Sequence, residues 1–144
     1  METLTALRTT ALTIALASSF LLAACGEEGE NTASEATTEP SWVLGSWSGE
    51  LHQRGMRPFR VWAVVRSLHD SAANSVRYSG LDCRGTWKPL GGGAEAFRFR
   101  ETITSGRSEA CKGVGIVHLR RGEGGLRYRF TGGGVESRGL LRSG

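Results

Sequence analysis

The chain has 144 residues, a length that suits one domain plus terminal segments. Its formal net charge of +4 conceals an asymmetry, because residues 1–40 hold six of the 14 acids and only Arg8 among the 18 basic residues. Residues 41–144 are therefore near +9, and 15 of their 17 basic residues are arginine. This bias favours either phosphate or carboxylate recognition or a GC-rich genome.

The first 25 residues divide into the parts of a secretory signal. A short region containing Arg8 precedes the uncharged and mostly apolar stretch 11–24. These 14 residues are too few for a spanning helix, which needs about 20. The stretch ends in Leu22-Ala23-Ala24-Cys25-Gly26, which resembles the bacterial lipobox, where a signal peptidase cuts before the cysteine and its thiol receives diacylglycerol.

This resemblance implies that residues 1–24 are a removed lipoprotein signal peptide. Diacylglycerol and palmitate on Cys25 would then anchor the mature protein to the extracytoplasmic face of the cell membrane. Each buried methylene contributes about 0.8 kcal/mol, so more than one acyl chain makes anchoring stable. An ordinary secretory signal with a fortuitous cysteine is the alternative.

The tract after Cys25 is acidic and lacks aromatic and large aliphatic residues. It cannot bury enough apolar surface to offset the entropy of ordering. We therefore expect residues 25–40 to be a lipidated cysteine and a disordered linker, whose coil would reach roughly 20 Å.

Residues 41–144 show apolar and polar residues in alternation between turn residues, which is typical of strands. The alternating segments are 47–53, 59–68, 76–78, 81–88, 97–103, 111–120, 126–131 and 135–142. Segment 59–68 is apolar on both faces and predicts a central strand. About eight strands in a hairpin series predict an all-β domain, an antiparallel meander forming a small lipocalin-like barrel or a rolled sheet. A two-sheet sandwich is the alternative.

If Cys25 is lipidated, Cys83 and Cys111 remain as a pair in an oxidising compartment, which predicts a disulfide. Closing a loop of about 29 residues would stabilise the fold by roughly 3–4 kcal/mol. Free thiols, or a metal pair with His118, are the alternatives, but two soft ligands without a third nearby make a poor zinc site. We predict no metal and no cofactor.

Glu101 is the unusual carboxylate of the domain. In strict alternation it shares the inward face with Phe97, Phe99 and Ile103. A buried carboxylate must be paired, hydrogen-bonded or neutral. Because arginine is abundant, we predict a buried ion pair at Glu101. A bulge that turns it outward, or a ligand-contacting or acid–base role, are the alternatives.

Basic residues occupy the outward phase of the predicted strands and would form ladders across paired hairpins. They are Arg60, Arg77, Arg84, Lys88, Arg98, Arg100, Arg127 and Arg129. Such a face would suit anionic envelope polymers, phospholipid headgroups or an acidic protein; ordinary solvated strands are the alternative. Nucleic acid is not expected as a partner of an exported protein. The sequence lacks nucleophile-elbow, phosphate-loop and zinc-protease signatures, so we predict no enzymatic activity.

Two resemblances bear on the domain. Gly45-Ser46-Trp47 is similar to the Gly-x-Trp opening of lipocalin-type barrels, in which the tryptophan closes the barrel base. Residues 44–142 resemble a small extracellular β domain of actinobacteria, found in short secreted or lipid-anchored proteins and as the outer, sensor-like part of some membrane serine/threonine kinases. The segments that carry this resemblance are Gly45-Ser46-Trp47-Ser48-Gly49, Leu81-Asp82-Cys83-Arg84-Gly85-Thr86-Trp87, Phe99-Arg100-Glu101-Thr102-Ile103, Cys111-Lys112-Gly113 and Gly139-Leu140-Leu141-Arg142.

These resemblances imply a fold and a location but no ligand. Together with the residues they predict a non-catalytic binding or sensing module on the outer face of the cell membrane. The alternative is an inhibitor of an exported enzyme, such as a lysozyme or another cell-wall hydrolase. Lysozymes are usually basic, so a domain near +9 would be electrostatically repelled.

Overall fold

The structure, a computed structural model, describes residues 39–144. The predicted signal peptide, Cys25 and nearly all of the predicted linker lie outside the described residues. A 3-10 helix, Ser41–Val43, leads into the sheet, and a second, Ser71–Ala73, lies between the second and third strands. The strands are β1 (Gly45–Gln53), β2 (Phe59–Val65), β3 (Ser75–Ser79), β4 (Cys83–Gly92), β5 (Ala96–Ser105), β6 (Val114–Gly122), β7 (Gly125–Gly132) and β8 (Val135–Ser143).

Each strand pairs antiparallel with the next, and β8 returns to pair with β1, so the sheet closes into a barrel. This confirms the all-β meander and excludes the sandwich. Closure removes both sheet edges, which would otherwise present unpaired N–H and C=O groups. Inward side chains alternate with outward ones along the strands, as the sequence pattern predicts. The pairing of β4 with β5 departs from this regularity at two register shifts, between Arg84 and Gly85 and between Pro89 and Gly91.

The prediction of a central strand over residues 59–68 is wrong. Strand β2 ends at Val65 and alternates strictly, with Phe59 and Val61 buried and Trp62 partly exposed on the outer face. In a closed barrel every strand has two neighbours, so no strand is central. The apolar residues on the outer face of β2 are partly exposed to solvent instead.

The barrel has two ends. The one that we call the base is formed by the 3-10 helix Ser41–Val43 and the β2–β3, β4–β5 and β6–β7 connections. Trp47 lies at this end and donates its indole N–H to the carbonyl of the fully buried Val43, at 2.9 Å. The indole of Trp42 donates to the carbonyl of Gly93 at 3.1 Å. The other end, the mouth, is formed by the remaining four connections.

Asn74 secures the β2–β3 connection from inside the base. It is fully buried, and its Oδ1 accepts hydrogen bonds from the backbone N–H groups of Arg66, at 2.8 Å, and Ser67, at 3.1 Å. Its Nδ2 donates to the carbonyls of Ser67, at 2.8 Å, and Trp87, at 3.1 Å. One amide thereby satisfies four backbone groups that would be costly to bury unpaired.

Side chains fill most of the interior. Trp87 and Phe99 are the largest fully buried side chains, with ring centroids 5.4 Å apart. Phe130 packs over Gly115, where a Cβ atom would overlap its ring. An eight-stranded barrel is just wide enough to be filled by its own side chains, and this large-against-small pairing lets aromatic rings fit.

The structure confirms the disulfide between Cys83 and Cys111, whose Cα atoms lie 6.6 Å apart. Both cysteines are buried. The bond attaches the β5–β6 connection to the first residue of β4, at the mouth. The free-thiol and metal-pair alternatives are therefore excluded for these two residues.

Replacing both Cys83 and Cys111 by alanine is expected to lower the free energy of unfolding by about 3–4 kcal/mol, because the unfolded chain regains the entropy of an open loop. Urea unfolding followed by tryptophan fluorescence measures this loss. Wild-type protein in excess reductant serves as the matched control and should unfold at the same urea concentration as the variant. A loss below about 1 kcal/mol would contradict a stabilising role for the bond.

Candidate functional site

The predicted basic residues are all exposed on the outer face of the barrel. The registers place Arg98 of β5 opposite His118 of β6, His118 opposite Arg129 of β7, and Arg129 opposite Arg138 of β8. Directly paired side chains have Cβ atoms about 4.5–5.5 Å apart. We call these four residues, which cross four neighbouring strands in one line, the cationic row.

Further arginines flank the cationic row. Arg100 lies beyond Arg98 on β5 and is paired with Lys88, and Arg127 lies beyond Arg129 on β7 and is paired with Arg120. Like charges directly opposite one another destabilise a sheet. The stability of the barrel therefore does not account for this concentration of charge.

Among residues 39–144, Glu136 is the residue whose carboxylate contacts the arginines of the cationic row. Its carboxylate pairs with the guanidinium of Arg138 and lies 3.9 Å from that of Arg129. Within the described part of the chain, Arg98, Arg100 and Arg127 form no salt bridge. Their guanidinium groups are available to an external anion.

His118 reports the electrostatic potential of the cationic row. Partial burial lowers the pKa of its imidazole, and the charges of Arg129 and Arg98 lower it further. The neutral imidazole is thus favoured, since a proton would add a positive charge beside those of Arg98 and Arg129. Burial is the larger cause of the lowered pKa, and the register that places Arg98 and Arg129 beside His118 adds to it.

Arg60 and Arg84, which the sequence grouped with the others, lie in a separate patch on β2, β3 and β4. The guanidinium carbons of Arg77 and Arg60 lie 4.8 Å and 5.8 Å from the centroid of the Trp62 ring. Arg84 is paired with Arg77 across the strands. Sequence reasoning missed Trp62 because the run around it is apolar, although the phase of Phe59 and Val61 places it outside.

Glu101 is buried and faces inward, as predicted, but it does not form the predicted ion pair. Its Oε2 accepts hydrogen bonds from the Tyr78 hydroxyl at 2.5 Å and from the Trp87 indole N–H at 2.8 Å. The Tyr128 hydroxyl lies 3.1 Å from that of Tyr78. No basic group pairs with Glu101 among the described residues, because the strand arginines occupy the opposite, outward phase.

Burial raises the pKa of Glu101, while the hydrogen bonds from Tyr78 and Trp87 act in the opposite direction. Burial also raises the pKa of Tyr78 and of Tyr128 well above the usual tyrosine value. Both hydroxyls therefore remain neutral donors at physiological pH. Among the described residues, Glu101 is the one buried carboxylic acid, and its hydrogen-bond partners are neutral.

A small cavity of about 20 Å³ lies above Glu101 at the mouth. That volume suits one or two water molecules, far below the roughly 300–1,000 Å³ of typical ligand pockets. A bulky ligand would therefore bind outside the barrel. The cavity, by contrast, has room for a single small polar group.

The fold and its surface define a small closed antiparallel β-barrel with a basic flank. Comparisons of the chain with protein-family models, with curated proteins and with solved structures found no match. Over residues 39–144, no three His, Cys, Asp or Glu side chains are grouped so as to hold a metal ion. In the same part of the chain, no helix combines the length and apolar character needed to cross a bilayer.

Lowering the pH is expected to stabilise the wild-type protein relative to Glu101→Gln. Because the pKa of Glu101 is higher in the folded than in the unfolded chain, the folded state binds the proton more tightly. This difference in pKa stabilises the folded protein fully at pH values below the pKa that Glu101 has in the unfolded chain. The stabilisation is lost as the pH rises through the pKa that Glu101 has in the folded protein. Glutamine does not titrate.

Urea unfolding of both proteins between about pH 4 and about pH 8 tests this expectation. The difference in unfolding free energy, wild type minus variant, should become more positive as the pH falls. Glu50→Gln, on the outer face of β1, is the matched control for loss of one carboxylate. A difference that does not change with pH would show that burial does not perturb Glu101.

Proposed function

We propose that this protein is a membrane-anchored lipoprotein whose barrel is a non-catalytic binding module for an anionic polymer of the cell envelope. The observation that carries the proposal is the cationic row, Arg98, His118, Arg129 and Arg138, on paired positions of four neighbouring strands. The barrel interior is filled, so the outer face is the extended surface that can accept a polymer.

The spacing of the cationic row suits repeated negative charge. Neighbouring strands lie about 4.8 Å apart, so four residues across them span roughly 14 Å. A polymer that runs perpendicular to the strands would meet an arginine on β5, β7 and β8 and the imidazole of His118 on β6. Arginine is suited to this role because its planar guanidinium can bind two oxygens of a phosphate or carboxylate at once.

The position of the base supports anchoring through Cys25. The chain enters the barrel there, and the carboxylate of Glu39 lies 2.6 Å from the imidazole of His69 in the β2–β3 connection. A lipid on Cys25 would tether the barrel by its base, with the mouth at the opposite end. The cationic row lies on the flank between them, where a polymer has access to it.

Mass spectrometry of the membrane-bound protein is expected to show cleavage before Cys25 and acyl chains on its N-terminal cysteine. Cys25→Ala should remain uncleaved at that position, because the lipobox reaction requires the thiol. Cys83→Ala, which removes a cysteine of the barrel, is the matched control and should still be acylated. Mature wild-type protein without acyl chains would refute the anchor.

The double variant Arg98→Gln/Arg129→Gln is expected to bind a polyglycerol-phosphate chain at least about tenfold more weakly than wild type, because two charge-assisted hydrogen-bonding groups are lost. Arg60→Gln/Arg84→Gln removes the same charge from the Trp62 patch and should bind nearly as well as wild type. Isothermal titration calorimetry at two salt concentrations measures both, and the salt dependence should be weaker in the first variant.

His118 gives an independent measurement in the wild-type protein. A bound polyanion would offset the charges of Arg98 and Arg129, so the pKa of His118 should rise when the polymer is added. Nuclear magnetic resonance of the imidazole protons follows this titration. Equal losses of affinity in both double variants, with no change at His118, would assign the binding to net charge rather than to the row.

A further inference from the structure

The mouth of the barrel places one carboxylate among aromatic rings. Glu101 forms the floor of the cavity, and Phe59, Tyr78, Tyr128 and Phe130 line its walls. All five side chains are at least nine-tenths buried. The faces of aromatic rings attract cations, and groups of such rings are known to hold ammonium ligands.

One oxygen of Glu101 is already occupied and the other is not. Oε2 accepts both hydrogen bonds, from Tyr78 and from Trp87. Among the described residues no donor reaches Oε1. Every fully buried side-chain oxygen in that part of the chain has a hydrogen-bond partner, so Oε1, which has none, is not fully enclosed. Oε1 therefore faces the cavity, where it can accept from a third group.

Lys112 forms part of the rim above this cavity. Its aliphatic stem lies close to Gly133 of the β7–β8 connection, and its ammonium pairs with Glu109 at 2.6 Å, outside the barrel. The disulfide fixes the preceding residue, Cys111, at the rim. The basic residue that lines this cavity thus pairs with Glu109 and not with Glu101.

We propose that the mouth binds a primary ammonium group, with Glu101 as its counter-ion and the four aromatic rings as its walls. A buried carboxylate without a partner of opposite charge is costly, and an ammonium would compensate it. The cavity volume selects the size, since an ammonium head is close to a water molecule in volume. At about 20 Å³ the cavity favours this head over a quaternary ammonium or a guanidinium, both of which are larger.

This site is separate from the cationic row and requires the opposite charge in its ligand. The group could belong to a small amine or to a lysine side chain of another protein, because both present the same head on an alkyl stem. The two sources differ at the far end of the alkyl stem, which carries a peptide backbone in lysine. Comparing n-butylammonium with Nα-acetyl-lysine amide distinguishes them. Failure at the mouth would leave polymer binding to the outer face unaffected.

The experiment titrates the 15N-labelled full-length chain with n-butylammonium and follows the indole N–H resonance of Trp87, which donates to Glu101. A saturable shift is expected. The uncharged analogue 1-butanol should give none, and tetramethylammonium should bind at least tenfold more weakly. No saturable shift with n-butylammonium, or an equal shift with 1-butanol, overturns the proposal.

Glu101→Gln should weaken n-butylammonium binding at least tenfold, because the amide oxygen still accepts from Tyr78 and Trp87 but carries no charge. The Trp87 resonance shows whether this variant is folded. Glu50→Gln, an equal change of charge on the outer face, should bind as wild type does; an equal loss there would overturn the proposal. If Nα-acetyl-lysine amide binds at least as tightly as n-butylammonium, the ammonium group comes from a lysine side chain. If it binds more weakly, the ammonium group comes from a small amine.

Discussion

Pairing of β8 with β1 is the constraint on which both candidate sites depend. Seven residue pairs join the two strands, from Trp47 with Ser143 to Gln53 with Ser137. Gly139 permits this approach, because a Cβ atom there would overlap the carbonyl of Glu50. Closure fixes which phase of every strand is interior. It therefore decides that Glu101 is enclosed and that the arginines of the cationic row are not.

Closure also separates the two kinds of charge in the domain. The arginines remain on the outer face, where water screens them and an external anion can reach them. The single interior acid, Glu101, keeps neutral partners, Tyr78 and Trp87. The outer face is consequently suited to extended anions, whereas the mouth is suited to one small cation. Neither property requires a large internal pocket, and the filled core supplies rigidity to both.

Much of the fold could be predicted from the sequence, because alternation with period two reports directly on which residues face inward. The strands, the disulfide and the inward position of Glu101 follow from this pattern and from the cysteine count. The hydrogen-bond partners of Glu101 could not be predicted, since Tyr78 and Trp87 lie on other strands, 23 and 14 residues away in the sequence. Likewise, Arg138 joins Arg129 only through the register of β7 with β8, which depends on turn geometry.

Trp87 has one more property that follows from its contacts. Its backbone carbonyl accepts from Asn74 on the base side of the core, and its indole N–H donates to Glu101 below the mouth. One residue is thus fastened towards both ends of the barrel, and its ring is packed against Phe99 between them. Two hydrogen bonds of this one residue therefore connect the β2–β3 connection at the base with the carboxylate below the mouth.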